Sequence, residues 1–335
     1  MISLKDIAKE CGVSPSSVSK ALNGYKDISE AQRKKIIKTA NAMGYMPNAA
    51  ARSLKTNRTY NLGVLFTDKT QRGLTHEYFS NILESFKVEA EKHGYVITFI
   101  SPNIGGKTMS YYEHCRYRGY DGIMIASVDF KSAEVIQLIE SDIPVVTIDH
   151  LFNDRTGILS DNVDGMKQLT EYIYKCGHKK IAFIHGEDTS VTQKRLASFY
   201  KTCEELGIET PDEYVCEAIY HDPKVTAIRA KELLSLNDPP TCIIFPDDFS
   251  SMGGINVIKD MGLRIPEDIS VVGYDGIYLS TVLEPALTTL KQNTNELGGV
   301  AALQLIELIE RPKIAIPQQI IIKGELLLGR SVKIS

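Results

Sequence analysis

Long apolar runs are what this 335-residue chain most clearly lacks. No stretch approaches the ~18 apolar residues that cross a bilayer, which argues against a membrane-spanning helix. The opening MISLKDIAKE is charged and carries no apolar h-region, so no secretory leader is expected. Cysteine is sparse: Cys11, Cys115, Cys176, Cys203, Cys216 and Cys242 are scattered, with no CxxC pair. Such thiols are expected to be reduced and buried in a cytoplasmic protein rather than paired in disulfides.

Catalytic signatures are equally thin. Gly105-Gly106-Lys107-Thr108 resembles the end of a phosphate loop, but the glycine required five positions before Gly106 is replaced by Ser101. No GxGxxG follows the first strand, and no HExxH or clustered His/Cys set suggests a metal or other cofactor. The seven histidines are dispersed, and His178 reads as structural. Nothing fixes two carboxylates at the separation a glycosidase needs. An enzyme is therefore not expected.

What is present is ordinary globular composition, 43% hydrophobic and 24% charged, which excludes disordered, collagen-like and fibrous classes. The length predicts two domains or a little more. The net charge of −4 is a sum of two unlike parts. Residues 1–58 hold 11 Lys/Arg against 4 Asp/Glu, a net +7, while the rest hold 27 against 38, a net −11. A small basic head on a large acidic body suggests a polyanion-binding module joined to something else. A lysine-rich, solvated surface helix would give the same count.

The head divides into three short helices. Ser3 and Asp6 form a capping-box-like start, and Leu4, Ile7, Ala8 and Cys11 make one apolar stripe ended by Gly12. Val13 drops into the core, Ser14 caps a second helix, and Pro15 occupies its first position, where a missing N–H costs nothing. Val18, Ala21 and Leu22 face inward, while Ser16, Ser17 and Lys20 face outward, before the Asn23-Gly24 turn. Ser29 with Gln32 opens a third helix that buries Ile36, Ile37 and Ala40 and stops near Gly44. Two helices joined by a tight turn, the second small, polar and basic outside, predict a helix-turn-helix that fits a DNA major groove. A structural three-helix cap shares much of this pattern.

Val13-Ser14-Pro15-Ser16-Ser17-Val18-Ser19-Lys20-Ala21-Leu22-Asn23 resembles the recognition helix of the LacI/GalR family of transcriptional regulators. Gly44-Tyr45 through Arg52-Ser53-Leu54 resembles that family's hinge. Cys11 stands where the family usually has alanine, and Pro15 and Lys20 fall at readout positions that vary among members. The resemblance implies DNA contacts from Ser14, Pro15, Ser16, Ser17, Ser19, Lys20, Asn23, Tyr45, Asn48, Arg52, Leu54 and Lys55. It implies that the hinge becomes helical only on DNA and inserts Leu54 in the minor groove. An Ala-rich stretch of about seven residues is too short to be a stable helix alone, and an apolar wedge can offset unstacking by wrapping more protein surface.

From Thr59 onward, apolar runs at Leu62–Phe66, Val96–Ile100, Gly122–Ala126, Pro144–Ile148, Ile181–Ile184, Thr241–Phe245 and Ile269–Gly273 alternate with helical patterns. The helices are expected at Ser80–Lys92, Val163–Cys176, Gln193–Leu206, Val225–Leu234 and Ser250–Met261. That alternation predicts parallel sheets with both faces covered and ligands at the strand carboxyl ends. The resemblance continues through Asp161-Asn162, Gly177-His178-Lys179-Lys180-Ile181-Ala182 and Ile265 to Asp275, so it spans essentially the whole chain. It implies a periplasmic-binding-protein-like body of two lobes. The expected domains are 1–47 (helix-turn-helix), 48–58 (hinge helix and linker) and 59–335 (effector binding and dimerisation). Lobe one is about 60–160 plus 291–320, and lobe two about 161–290 plus 321–335.

Asp149, Asp247, Asp248 and Asp275 follow strands, and Arg195 opens a helix after Ile181–Ile184. Carboxylates accept pairs of hydroxyl hydrogens and a guanidinium donates a fork, which suits a polyhydroxyl ligand. Tyr78 and Phe79 match the family's aromatic pair, and the resemblance implies effector contacts from Tyr78, Phe79, Asp149, Arg195, Asp247, Asp248 and Asp275. The Asp247-Asp248 pair, Ser198 and the segment DKTQRGLTHE depart from common family patterns, which bears on ligand identity. The expected function is that of a ligand-controlled repressor of carbohydrate-related genes, binding a palindromic operator as a homodimer. A heptad tail of the tetramerising kind is missing after Gly324–Leu328. Rival readings are a solute-binding protein without DNA activity, or the same regulator with a nucleobase or partner-protein effector.

Overall fold

Local chemistry sets each helix of the head. Ser3 and Asp6 complete a capping box on α1 (Leu4–Cys11), and Gly12 ends it at a φ of +68°. The Ser14 hydroxyl accepts the Ser17 amide at 3.1 Å to start α2 (Pro15–Leu22). The Ser29 hydroxyl accepts the Gln32 amide at 3.4 Å to start α3 (Glu30–Ala42). Ile7, Ala8, Cys11, Val18, Ala21, Ile36 and Ala40 form one small core. Cys11 is buried there, so a thiol fills the space of a small apolar side chain. Ile37, expected inside, is 38% exposed, because the inward stripe of α3 passes through Ile36 and Ala40 instead.

The computed structural model describes residues 2–25, 27–46, 58–67 and 73–334. The chain forms two units, Met1–Thr59 and Tyr60–Ser335. In the second unit the strands in chain order are β1 (Asn61–Phe66), β2 (Val96–Phe99), the hairpin pair β3 (Asn103–Ile104) and β4 (Lys107–Thr108), β5 (Gly122–Ala126), β6 (Val145–Ile148) and β7 (Thr156–Ser160). There follow β8 (Ile181–His185), β9 (Val215–Glu217), β10 (Cys242–Ile244), β11 (Ser270–Asp275), β12 (Thr288–Lys291), β13 (Gln319–Ile322) and β14 (Glu325–Leu327). The helices are α4 (Glu77–Lys92), α5 (Tyr111–Arg118), α6 (Ala133–Glu140), α7 (Asn162–Lys175), α8 (Ser190–Leu206), α9 (Pro223–Leu234), α10 (Asp248–Asp260), α11 (Tyr278–Val282) and α12 (Thr294–Glu310).

One sheet runs β13-β7-β6-β5-β1-β2 and is parallel throughout. The other runs β14-β12-β11-β10-β8-β9, parallel except that β14 pairs antiparallel with β12. Every residue of β5, β6, β7 and β11 is buried, as expected of strands covered by helices on both faces. Ile82 and Phe86 of α4 share the first lobe's core with Leu297, Ala301 and Leu305 of α12, so a late helix completes an early lobe. The chain crosses between lobes three times, from β7 into α7, from β12 into α12, and from β13 into β14. The strand carboxyl ends of both sheets carry the loops that hold the acidic residues.

Several helices begin earlier than periodicity alone suggests. α4 starts at Glu77 rather than Ser80, and its cap, His76, makes no side-chain capping bond, so no capping signal marked it. α8 starts at Ser190 because the Thr189 hydroxyl accepts the Thr192 amide at 3.2 Å. Arg195 therefore lies in the second turn of that helix and does not open it. α10 starts at Asp248 because Asp247 is its cap.

Candidate functional site

In the first unit, the outward face of α2 is polar and accessible. Pro15 and Ser16 are exposed, Ser17, Ser19 and Lys20 are half-buried, and Ser14 and Asn23 sit at the two caps. Asn23 Nδ2 donates to the Ser19 carbonyl at 2.6 Å, which fixes the exit of the helix. Lys20 Nζ donates to Asp27 Oδ2 at 2.5 Å, and the Asp27 carboxylate raises the lysine's pKa. Both side chains are about half exposed, so the pair is weak and easily exchanged for another anion. Tyr45 packs against the head's core and donates its amide to the Ala40 carbonyl at 2.9 Å. Asn48, Arg52, Leu54 and Lys55 lie outside the described residues.

In the second unit, the strand-end residues converge. Tyr78, in the first turn of α4, donates its hydroxyl to Asp149 Oδ2 at 2.7 Å, while the Ser160 amide donates to Asp149 Oδ1 at 2.9 Å. Burial, followed by the charge of Asp149, lifts Tyr78 well above the usual phenol range and keeps it a donor. Arg195 donates from Nε to Asn162 Oδ1 at 2.8 Å and from a terminal nitrogen to the Pro246 carbonyl at 3.0 Å. Its guanidinium carbon lies 3.5 Å from the Tyr274 ring centre, a close cation–π contact. Burial disfavours that charge, but Tyr220, Tyr274 and Asp275 more than offset it and the pKa is raised.

Asp275 accepts Gln292 Nε2 on Oδ1 at 2.6 Å. Its Oδ2 stands 3.9 Å from His221 Nε2, which is also 3.9 Å from Asp247 Oδ1. Burial pushes the Asp275 carboxyl up to about 8; Arg195 opposes the shift and Asp247 adds to it. Asp149, His221 and Asp275 adopt φ values of +57°, +57° and +106°. Such backbone costs about 1–3 kcal/mol at each non-glycine residue and is typical of functional sites.

The neighbouring pair of acids is differently employed. Asp247 caps α10, accepting the Ser250 amide at 2.7 Å, the Ser250 hydroxyl at 2.7 Å and the His221 amide at 2.9 Å. Asp248 accepts the Ile277 amide at 2.9 Å and the Thr289 hydroxyl at 2.6 Å. A Cβ at Gly273 would come within 2.1 Å of Asp248 Oδ1, so glycine there admits the carboxylate. Burial, then Asp275, raises Asp248 well above the usual carboxylate range. Both oxygens already bind within the second lobe, and the residue ties α10 to the β11–α11 loop.

Phe79 is half-buried, with its ring centre 5.5 Å from Phe66 and 4.8 Å from His76. Sequence reasoning missed His76, Asn162, Tyr220, His221 and Gln292. The rings of His76 and His221 lie 3.4 Å apart across the lobes, and His221 also stacks on Phe249. The Tyr220 hydroxyl meets Thr192 Oγ1 at 2.9 Å, and a Cβ at Gly186 would sit 2.1 Å from the Tyr220 ring. For His221 the usable signal was its position after a short strand; for Gln292 it was the residue following β12. A separate shallow groove of about 670 Å³, lined by Lys259, Arg264, Pro266, Glu284 and Arg330, lies at the amino ends of β11 and β12, away from this cluster. Among the described residues, no group of three or more His, Cys, Asp or Glu could hold a metal, and no helix is long and apolar enough to cross a membrane. All six cysteines are free thiols, and all but Cys216 are buried.

A helix-turn-helix head and a two-lobed α/β unit with acidic and aromatic side chains gathered at its strand ends define a class of DNA-binding regulators. Residues 3–48 match the family described as bacterial regulatory proteins, lacI family, and residues 170–332 match the periplasmic binding protein-like domain. The chain is 31% identical over 318 residues to the probable HTH-type transcriptional repressor ExuR of Bacillus subtilis (strain 168), covering 93% of each protein. It is 32% identical over 318 residues to the HTH-type transcriptional repressor PurR of Vibrio vulnificus (strain CMCP6), covering 92% of each. Its fold resembles the lac repressor dimer bound to operator and the anti-inducer ONPF, with a TM-score of 0.82, 23% identity and 99% of each chain covered. It also resembles the regulator CelR in complex with cellobiose, with a TM-score of 0.72 and 22% identity over 99% of this chain and 100% of that one. The chain belongs to the LacI family; it is a DNA-binding transcriptional repressor and not an enzyme.

Proposed function

We propose that this repressor binds a pseudo-palindromic operator as a homodimer, and that a small carbohydrate in the interlobe cleft sets its operator affinity. The observation that carries the ligand reading is the convergence of Asp149, Asp275 and Arg195 with Tyr78 and Phe79. Asp275 Oδ2 has His221 Nε2 only at 3.9 Å, so it remains open to a ligand hydroxyl. Asp247 and Asp248 hold the loops that present these groups. On the head, Ser16 and Lys20 read base edges with Pro15 at a readout position beside them, Ser17 and Ser19 contact phosphates, and Ser14, Asn23 and Tyr45 complete the DNA-facing set. Asn48, Arg52, Leu54 and Lys55 serve the hinge. A second copy covers the free edge of the first sheet, where Val96 is 58% and Phe99 42% exposed on β2.

A nucleobase is the second reading, supported by the near-parallel stack of His221 on Phe249, at 13° between ring planes. A solute-binding protein without DNA activity leaves the +7 head without a role. Ligand and operator binding are reciprocally coupled, typically by ~1–3 kcal/mol. The deciding experiment is a gel shift against genomic fragments across salt, followed by a thermal-shift screen of sugars, sugar phosphates and nucleobases. A palindromic site lost steeply with salt, together with a sugar that raises the melting temperature, is expected. Leu54→Ala weakens operator binding and leaves ligand affinity intact, whereas Arg195→Met does the reverse.

A further inference from the structure

Beside Asp149 the cleft changes character. Phe130, in the loop after β5, stacks on His150 with ring centres 4.1 Å apart and planes 5° apart. Phe152 braces both rings, at 6.1 Å from Phe130 and 4.8 Å from His150. Phe130 and Phe152 are anchored in the first lobe's outer core, so the stack is a fixed surface. His150 directly follows Asp149, and Ser190 of the second lobe reaches the Asp149 carbonyl with its hydroxyl at 3.3 Å. One turn along α8 from Ser190 stands Lys194, half-buried; Lys131, exposed, directly follows Phe130, and the charges of both lysines reach His150.

Lysines of opposite lobes thus flank one aromatic pair, Lys131 next to Phe130 in the chain and Lys194 one turn from the Ser190 that meets the Asp149 carbonyl. Among the described residues, neither has a carboxylate within 4.0 Å. The carboxylates next to them in the chain are engaged elsewhere: Asp129 accepts the Lys131 amide at 3.0 Å, and Asp188 accepts Gln193 Nε2 at 2.9 Å. Burial, then Lys194 and Lys131, lowers the His150 pKa, so its ring is a neutral stacking surface rather than a third cation. With no ion pair within 4.0 Å among the described residues to hold them, both ammonium groups are available to an incoming anion.

We infer that this rim is an anion subsite: Lys131 and Lys194 grip a carboxylate or phosphate carried by a hydroxylated ring that stacks on the Phe130–His150 pair. The subsite presupposes the hydroxylated ligand proposed above and narrows it to an acidic sugar or a sugar phosphate. Inside, Asp149 and Asp275 accept hydroxyl hydrogens; at the rim, two lysines donate. An anion held from both lobes also binds better when they are together, the differential affinity that a ligand needs to shift a conformational equilibrium.

The test is titration calorimetry of the full-length repressor against neutral mono- and disaccharides. Each is paired with the acid in which one primary alcohol is oxidised to a carboxylate, and with the corresponding phosphate ester. At least one acidic member is expected to bind ten-fold or more tighter than its neutral partner. In Lys131→Met/Lys194→Met that preference collapses to near parity, while Lys131→Arg/Lys194→Arg retains it. Carboxylate and phosphate arms report which anion is preferred, and inorganic phosphate alone is expected to bind weakly. Equal affinity for neutral and acidic members, or a preference that survives the double methionine variant, overturns the subsite and leaves the carbohydrate reading standing. A panel in which no sugar of either kind binds overturns both. Unchanged circular dichroism and unliganded melting temperature verify that the variants fold.

Discussion

Asp275→Asn is the most informative single change, because the buried carboxyl couples folding to pH in a direction that can be worked out beforehand. Burial raises the Asp275 pKa to about 8, while an unfolded aspartate titrates near ~3.9. Between those values the folded state holds one more proton than the unfolded state. Stability from this group is therefore fully present below about pH 4 and declines as pH rises toward 8. The slope cannot exceed ~1.4 kcal/mol per pH unit. From pH 5.5 to 7.5 the loss amounts to about 2 kcal/mol, the opposing effects of Arg195 and Gln292 being already contained in the folded value. Asparagine carries no titrating proton, yet its Oδ1 can still accept Gln292 Nε2. The difference between variant and wild type should thus move in the variant's favour by about 2 kcal/mol over that range. That corresponds to roughly 4–8 °C of melting temperature for a unit of this size. Urea or thermal unfolding of both proteins, at fixed ionic strength across the pH series, gives the difference directly. Parallel curves, or a difference that moves against the variant with rising pH, would refute the coupling.

Three further outcomes follow from the contacts described. Asp27→Asn releases Lys20 from its carboxylate partner and should raise affinity for random-sequence DNA, with a steeper salt dependence, in fluorescence anisotropy; unchanged random-DNA affinity would show the pair is irrelevant to binding. Ser14→Ala removes the acceptor of the Ser17 amide and should destabilise the head by about 1 kcal/mol, read by its own melting or by hydrogen exchange in α2. Gly273→Ala drives a Cβ to within 2.1 Å of Asp248 Oδ1 and should lower stability by several kcal/mol, or leave the protein insoluble, while Gly299→Ala, with only Ser85 Oγ at 3.7 Å, should be tolerated.

The head was legible because each of its boundaries is made by residues three or four apart. Ser3 with Asp6, Ser14 with Pro15, and Gly12 beyond Cys11 are capping signals that need no tertiary information. The sheet was legible for a different reason: β5 and β6 are buried on both faces and so read as unbroken apolar runs. The short β9 was not read, since three residues with none fully buried leave no pattern. The cleft was legible in part. Asp149, Arg195 and Asp275 could be placed by their positions at strand and helix ends. Asp248 looked identical to them in sequence, yet Gly273 and Thr289 turn its carboxylate into a structural tie. His76 had no signal and His221 only its place after the short β9, because their contact depends on two loops far apart in the chain.

The three chain crossings carry a consequence for synthesis. Neither lobe is a continuous piece of sequence: the first borrows α12 and β13, and the second closes its sheet with β14. As the chain leaves the ribosome, the head can fold at once, but β7 keeps an open edge until residues 319–322 emerge, and β12 until 325–327. Open parallel edges are aggregation-prone and are recognised as unfinished. A chain broken off anywhere before Gln319 would therefore own a folded head with no finished lobe beneath it. Such fragments would be drawn into aggregation or proteolysis, which guards the operator against a DNA-binding head that no ligand can control.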